Sequence, residues 1–245
     1  MDLTLRPLDL ALLAPFVDSR PVRGLVRGRL RGAGALTDLV VDVDLDWADE
    51  GTAAAPTNHL NGRGRVGLGG PVELAFRGFT ARYADFDLAT IRRFAPSLLL
   101  EGRLKTSGTL EGPWRNAQFN GVIQHTGPAA LASAVHGALR LGLADAVRVD
   151  AELVVDSLSL DLLRLTYPGI PLHDVLRGRA SLHGPMTALD MGASLWGPVG
   201  LVAVRGTIGV GDSEVTLALE GTFDSLDLRR IHKAAPPTAL SGSWT

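Results

Sequence analysis

The sequence predicts an all-β protein: an elongated, curled antiparallel sheet (a β-groove) built from repeats of about four strands plus a short helical turn. Three observations predict it. The first is a recurring motif, Leu8-Asp9-Leu10, Phe86-Asp87-Leu88, Leu160-Asp161-Leu162 and Leu226-Asp227-Leu228, each followed by a short apolar or basic stretch and a proline. The aspartates are 78, 74 and 66 residues apart, yet Gly24, Gly102, Gly178 and Gly242 follow them at 15, 15, 17 and 15 residues. A near-constant offset inside a drifting period means that one structural unit is reused while its loops vary. The second observation is period-2 alternation of apolar and polar residues between the motifs, the signature of half-buried strands. The third is glycine inside those strands, at Gly24, Gly28, Gly32, Gly34, Gly102 and Gly108, where it is costly unless it permits a bend or a close backbone approach.

The motifs divide the chain into a first unit with the tail of a preceding one at 1–86, a second unit at 87–160, a third at 161–226 and the start of a fourth at 227–245. In the first unit, Leu10 to Phe16 form a helical turn closed near Pro15, because proline restricts the residue before it. Val22 to Leu36 then alternate, with Val22, Gly24, Val26, Gly28 and Leu30 on one face and Arg23, Arg27, Arg29 and Arg31 on the other. After a turn at Thr37-Asp38, Val41, Val43, Leu45 and Trp47 alternate with Asp42, Asp44 and Asp46. Folding that hairpin pairs Arg31 with Asp44, Arg29 with Asp46, Leu30 with Leu45 and Gly28 with Trp47, so that charges meet on one face and apolar groups on the other. A second hairpin runs from His59 to Leu68 and from Val72 to Asp85 around Gly69-Gly70-Pro71. Its counterparts are Val135 to Leu143 with Val147 to Leu158 around Ala144-Asp145-Ala146, and Leu201 to Val210 with Glu214 to Leu226 around Gly211-Asp212-Ser213. About a dozen strands result.

Composition excludes several function classes. A formal net charge of −2 offers no electrostatic reason for nucleic-acid binding, and only Lys105 and Lys233 among the 24 basic residues are lysines. Without cysteine, neither disulfides nor thiolate metal sites are available, which fits an oxidising envelope compartment. Mean hydropathy is +0.17, yet no run of about 18 apolar residues exists to span a bilayer. Met1-Asp2-Leu3 lacks the charged start and apolar core of a signal peptide. Both ends read as cut: Leu3-Thr4-Leu5 resembles the tail of a preceding strand, and Gly242-Ser243-Trp244-Thr245 stops midway through an expected one.

No catalytic constellation emerges, and neither an enzyme activity nor a cofactor is expected. His59, His125, His136, His173, His183 and His232 show no metal-ligand spacing with one another. Gly62-Arg63-Gly64-Arg65-Val66-Gly67 is formally a G-x-G-x-x-G, but it lies within a strand that leads to another strand, where a dinucleotide fingerprint must open a helix. Asp42, Asp44 and Asp46 alternate opposite arginines, which is the pattern of an ion-paired face rather than of a calcium loop.

Repeats of the form L-D-L, short helix, proline, then L-x-G-x-L-x-x-x-G-x-L resemble those of the AsmA-like and TamB-like envelope proteins. The closest copy runs from Phe86-Asp87-Leu88 through Leu98 to Gly102-Arg103-Leu104, Gly108 and Leu110; Gly178-Arg179-Ala180 and Gly24-Leu25-Val26 match more loosely. The resemblance covers essentially the whole chain. It implies a curled β-groove spanning the periplasm of a diderm bacterium, with an inner-membrane anchor and an outer-membrane partner domain outside this chain. It also implies phospholipid transfer between the membranes or assistance in outer-membrane protein assembly.

The apolar faces carry the functional content. Val41, Val43, Leu45, Val72, Leu74, Phe76, Val147, Val149, Leu153, Val215, Leu217 and Leu219 point one way and are the candidate groove-lining, lipid-binding residues. On pattern alone the same faces could close into a dry sandwich or barrel core; the repeats and glycines favour a groove. An acyl chain laid along it gains about 0.8 kcal/mol per buried methylene. Phospholipid acyl chains are therefore the expected partner. An outer-membrane assembly protein would dock through regions outside this chain. The alternative reading is a scaffold that holds an outer-membrane client by strand pairing.

Overall fold

A computed structural model describes all residues except 1, 12–22, 51–56, 70–72, 93–99, 144–146, 167–172, 211–214 and 231–234. The chain is all-β. Its strands are β1 (Asp2–Asp9), β2 (Leu25–Ala35), β3 (Asp38–Ala48), β4 (Thr57–Gly69), β5 (Glu73–Asp87), β6 (Arg103–Pro113), β7 (Asn116–Thr126), β8 (Ala132–Leu143), β9 (Val147–Ser159), β10 (Val175–Pro185), β11 (Leu189–Gly197), β12 (Gly200–Val210), β13 (Val215–Leu226) and β14 (Leu240–Trp244). Two short helices, α1 (Leu88–Arg92) and α2 (Leu160–Thr166), follow β5 and β9. Sheet order follows chain order, with β1 and β14 at the two ends. Among the described residues there are fourteen strands, close to the expected number of about a dozen. The chain divides into two compact units, Met1–Ala117 and Gln118–Thr245, and each is described by itself.

Within the first unit, the strand parity is the one that alternation dictates, but the register is not. Gly28 faces Leu45, Leu30 faces Val43, Arg29 faces Asp44 and Arg31 faces Asp42, each two residues away from the expected partner. The turn is Leu36-Thr37, not Thr37-Asp38, and Ala35 pairs with Asp38. A two-residue slip keeps every side chain on its face, so the hydrophobic pattern cannot detect it; the two-residue loop decides it. The tips of the other three predicted hairpins, and most of the turn expected at Leu10 to Phe16, lie outside the described residues.

The local structure also corrects the repeat. At the end of β1, the Leu10 amide donates to the Gly24 carbonyl; after β5, Leu88 donates to Gly102; after β9, Leu160 donates to Asp174, each at 2.9 Å. The third copy of the motif is therefore Leu158-Ser159-Leu160, not Leu160-Asp161-Leu162. Ser159 takes the capping role that Asp9 and Asp87 have elsewhere. Their Oδ1 atoms accept from the amides of Ala11 (2.8 Å) and Ala89 (2.9 Å), and Ser159 Oγ accepts from Leu162 (3.2 Å). Serine and aspartate are interchangeable helix caps. Asp174 then stands 15 residues after Ser159, as Gly24 does after Asp9, and the aberrant offset of 17 disappears.

Gly178 is the counterpart of Gly28, four residues further on. Both have positive φ, +153° and +136°, and a Cβ there would lie 2.0 Å from the Ser194 carbonyl oxygen and 2.1 Å from that of Asp44. Only glycine fits such a bulged close approach. Gly242 holds the same register position, though there a Cβ would meet the Phe223 ring, at 2.8 Å from Cζ, rather than a carbonyl oxygen. It pairs with Phe223, four residues before Asp227, as Gly178 pairs with Val155 and Gly28 with Leu5. Gly178→Ala is expected to lower stability by about 2–3 kcal/mol, read as a shift in the urea midpoint.

Candidate functional site

In the first unit every strand from β1 to β6 contributes one apolar edge to the same face. Cross-strand partners run from Leu3–Leu30–Val43–Gly62–Ala81 in one row to Leu8–Val26–Trp47–Asn58 in another. Val41, Val43, Phe79 and Ala81 form a buried cluster, with Leu30, Leu39, Leu45, Leu60, Val66, Phe76 and Leu110 packed on it. Phe79 covers Gly62, where an added Cβ would lie 2.6 Å from the phenyl Cζ. The face is thus filled at its centre by its own strands.

Toward the crossover end the filling stops. An apolar hollow of about 180 Å³ is lined by Leu10, Val26, Leu45, Trp47, Asn58, His59, Leu60 and Phe86. Leu10 follows β1 and Phe86 belongs to β5, so residues four strands apart flank one hollow. The apolar face of this unit is concave.

The polar atoms around the hollow are engaged elsewhere. The Asn58 side chain, 1 % exposed, accepts from the Asp87 amide (2.7 Å) and donates to Thr90 Oγ1 (3.2 Å) and the Trp47 carbonyl (3.3 Å). This knot recurs locally after the other crossovers: Ser133 Oγ accepts from the Ser159 amide (3.0 Å) and the Val199 carbonyl from the Asp227 amide (3.1 Å). Trp47 Nε1 donates to the Arg23 carbonyl (3.0 Å). His59 Nδ1 lies 2.9 Å from Asp46 Oδ1, and its Nε2 lies 3.4 Å from Asp44 Oδ1, on the charged face.

That hydrogen bond from the His59 ring holds the Asp46 carboxyl below its ordinary value of 3.8, against partial burial, with Arg27 assisting. A depressed carboxyl stabilises the fold above pH 3.8, and the contribution is lost as pH falls below it toward the lowered value. Asp46→Asn is therefore expected to flatten the drop in urea midpoint between pH 5 and pH 3; an unchanged drop would contradict the pairing.

In the second unit the equivalent face runs from β8 to β14. A buried cluster of Val149, Ala151 and Leu189 collects Leu139, Leu153, Leu182 and Met186. A second, of Leu160, Leu176 and Val199, collects Leu158, Leu163, Leu195 and Leu226.

The expected groove residues divide accordingly. Val41, Val43 and Val149 are buried in the clusters, Leu45, Phe76 and Leu153 pack against them, and Leu74 and Leu219 are half-buried. Val147 and Leu217 are exposed on the apolar face, Leu217 to 64 %. Val72 and the Val215 side chain lie outside the described residues. Sequence reasoning missed the hollow, whose lining includes Leu10, Trp47 and Phe86. The signal available for it was Trp47, the largest side chain in its alternating strand and the last.

The charged face holds His–carboxylate pairs that the sequence reading missed, His136 with Asp156 (2.8 Å) and His183 with Asp150 and Glu152 (3.6 and 3.1 Å), and the crossover at α2 holds another, His173 with Asp161 (2.7 Å). Among the described residues, no group of three or more such side chains is arranged to hold a metal ion. Comparison with protein-family models, curated proteins and solved structures gives no match.

Proposed function

We propose that this chain is a non-enzymatic segment of a periplasm-spanning β-groove that shields phospholipid acyl chains in transfer between the inner and outer membranes of a diderm bacterium. The observation that carries the reading is the segregation of faces. Each unit has one continuous apolar face, concave in the first unit, and one face of ion pairs such as Arg27–Asp46, Arg65–Asp38 and Arg205–Glu220. The resemblance to AsmA-like and TamB-like repeats supports the same reading, including an inner-membrane anchor outside this chain.

Leu217 gives a test that leaves the fold alone. It is the most exposed large hydrophobic residue on the apolar face of the second unit, facing Ile208 across the ladder. Leu217→Asp is expected to preserve the far-ultraviolet circular dichroism and the urea midpoint while reducing transfer of fluorescent phospholipid between vesicles. Transfer unchanged in folded Leu217→Asp protein, or absent in the wild type, counts against the proposal. Capture of an extended outer-membrane protein segment by lipid-free protein would favour the strand-pairing scaffold instead.

A further inference from the structure

The first and third repeats carry the same positions at the crossover end but use them differently. Leu10, Val26, Leu45 and Phe86 of the first repeat correspond to Leu160, Leu176, Leu195 and Leu226 of the third, by the motif hydrogen bonds and the shared register around Gly28 and Gly178. In the third repeat these residues pack solidly around Val199, which is fully buried. Its strand ends in Gly197, where an added Cβ would meet Leu176 Cδ2 at 2.8 Å. In the first repeat that place belongs to Trp47, whose indole Nε1 donates to the Arg23 carbonyl. A valine, Val26, stands in place of Leu176, and the space is left open as the hollow of about 180 Å³.

We propose that this hollow is a discrete seat for the terminal segment of a single straight hydrocarbon chain, unique to the first of these two repeats. The inference rests on reading the apolar face as a hydrocarbon-binding surface, and adds where a chain end stops. Volume and chemistry select the occupant. A cavity of about 150 Å³ lined by leucine, isoleucine and phenylalanine admits benzene and stays free of water, so this hollow takes an apolar body of slightly greater size. It is too small for a headgroup together with a chain. Asn58 is already engaged by Asp87, Thr90 and Trp47, and His59 by Asp46 and Asp44, so neither is free to bind a polar ligand. Leu45 and Leu60 line the hollow and also pack on the central cluster, which makes the hollow continuous with the apolar face.

Trp47 is the built-in reporter. The other three tryptophans, Trp114, Trp196 and Trp244, are 43 %, 53 % and 41 % exposed and lie outside the hollow. The 245-residue chain labelled with 5-fluorotryptophan is compared by fluorine NMR with and without decane, and phospholipid co-purification is measured in parallel. Decane is expected to shift the Trp47 resonance alone, and the shift is expected to be lost in Val26→Phe and in Leu60→Phe, either of which fills the hollow. The shared loss covers the case in which one variant does not fold. A silent Trp47 in protein that co-purifies with phospholipid overturns the seat and leaves the groove reading standing. A responsive Trp47 in protein that carries no phospholipid upholds the seat and sinks transfer. A shift retained in both folded filling variants also overturns it.

Discussion

Val43→Asp is expected to unfold the Met1–Ala117 unit. Val43 is 7 % exposed and lies in the cluster with Val41, Phe79 and Ala81, facing Leu30 on one side and Gly62 on the other. The arginines of β2 lie opposite the aspartates of β3, on the other face. An unpaired carboxylate buried there costs about 3–5 kcal/mol, beyond the lost packing of the valine. Since whole domains are stable by only about 5–15 kcal/mol, the unit should open. Hydrogen exchange should show protection lost across β2 to β5. Protection unchanged from wild type would mean that Val43 faces solvent and that the central filling of the face is wrong. The contrast with Leu217→Asp matters for function. The same substitution at two expected groove residues has opposite consequences for folding, because one lies in a dry cluster and the other on open surface.

The second large effect is expected at Asn58. Its carboxamide accepts the Asp87 amide and donates to Thr90 Oγ1 and the Trp47 carbonyl, joining the start of β4 to the crossover after β5. Asn58→Leu conserves the volume but leaves buried polar groups without these partners, each costing about 1–3 kcal/mol. A loss of about 3 kcal/mol is expected, read as a lowered urea midpoint, with the amides of α1 losing protection first. Ser133→Ala, at the corresponding place before α2, should cost less because Ser133 Oγ accepts a single amide. Equal, negligible losses at both positions would show that the crossovers are held by strand pairing alone.

Much of this fold was legible in the sequence because alternation fixes parity. The arginines of β2 and the aspartates of β3 meet on one face, and Val41, Val43 and Leu45 lie on the other, as expected. Register was legible only to within two residues, since Arg29 opposite Asp44 and Arg29 opposite Asp46 satisfy the same pattern. The third motif was misplaced because Leu160-Asp161-Leu162 matches by letters, whereas the cap there is Ser159. The offset of 17 among offsets of 15 was the visible trace of that error. The apolar face could be read strand by strand, but not which of its residues are dry. That depends on curvature, which brings Leu10 and Phe86 to one hollow across four strands, and on single choices such as Trp47 against Gly197. The pairing of His59 with Asp44 and Asp46 likewise needed the register before it could be seen.

Native mass spectrometry of the protein purified from a diderm host, with lipid extraction of the same sample, shows whether the apolar face carries acyl chains. Co-purified phospholipid is expected on the wild type, and its loss on folded Leu217→Asp. Folded wild-type protein free of lipid, and unable to take it up from vesicles, would contradict an acyl-shielding groove.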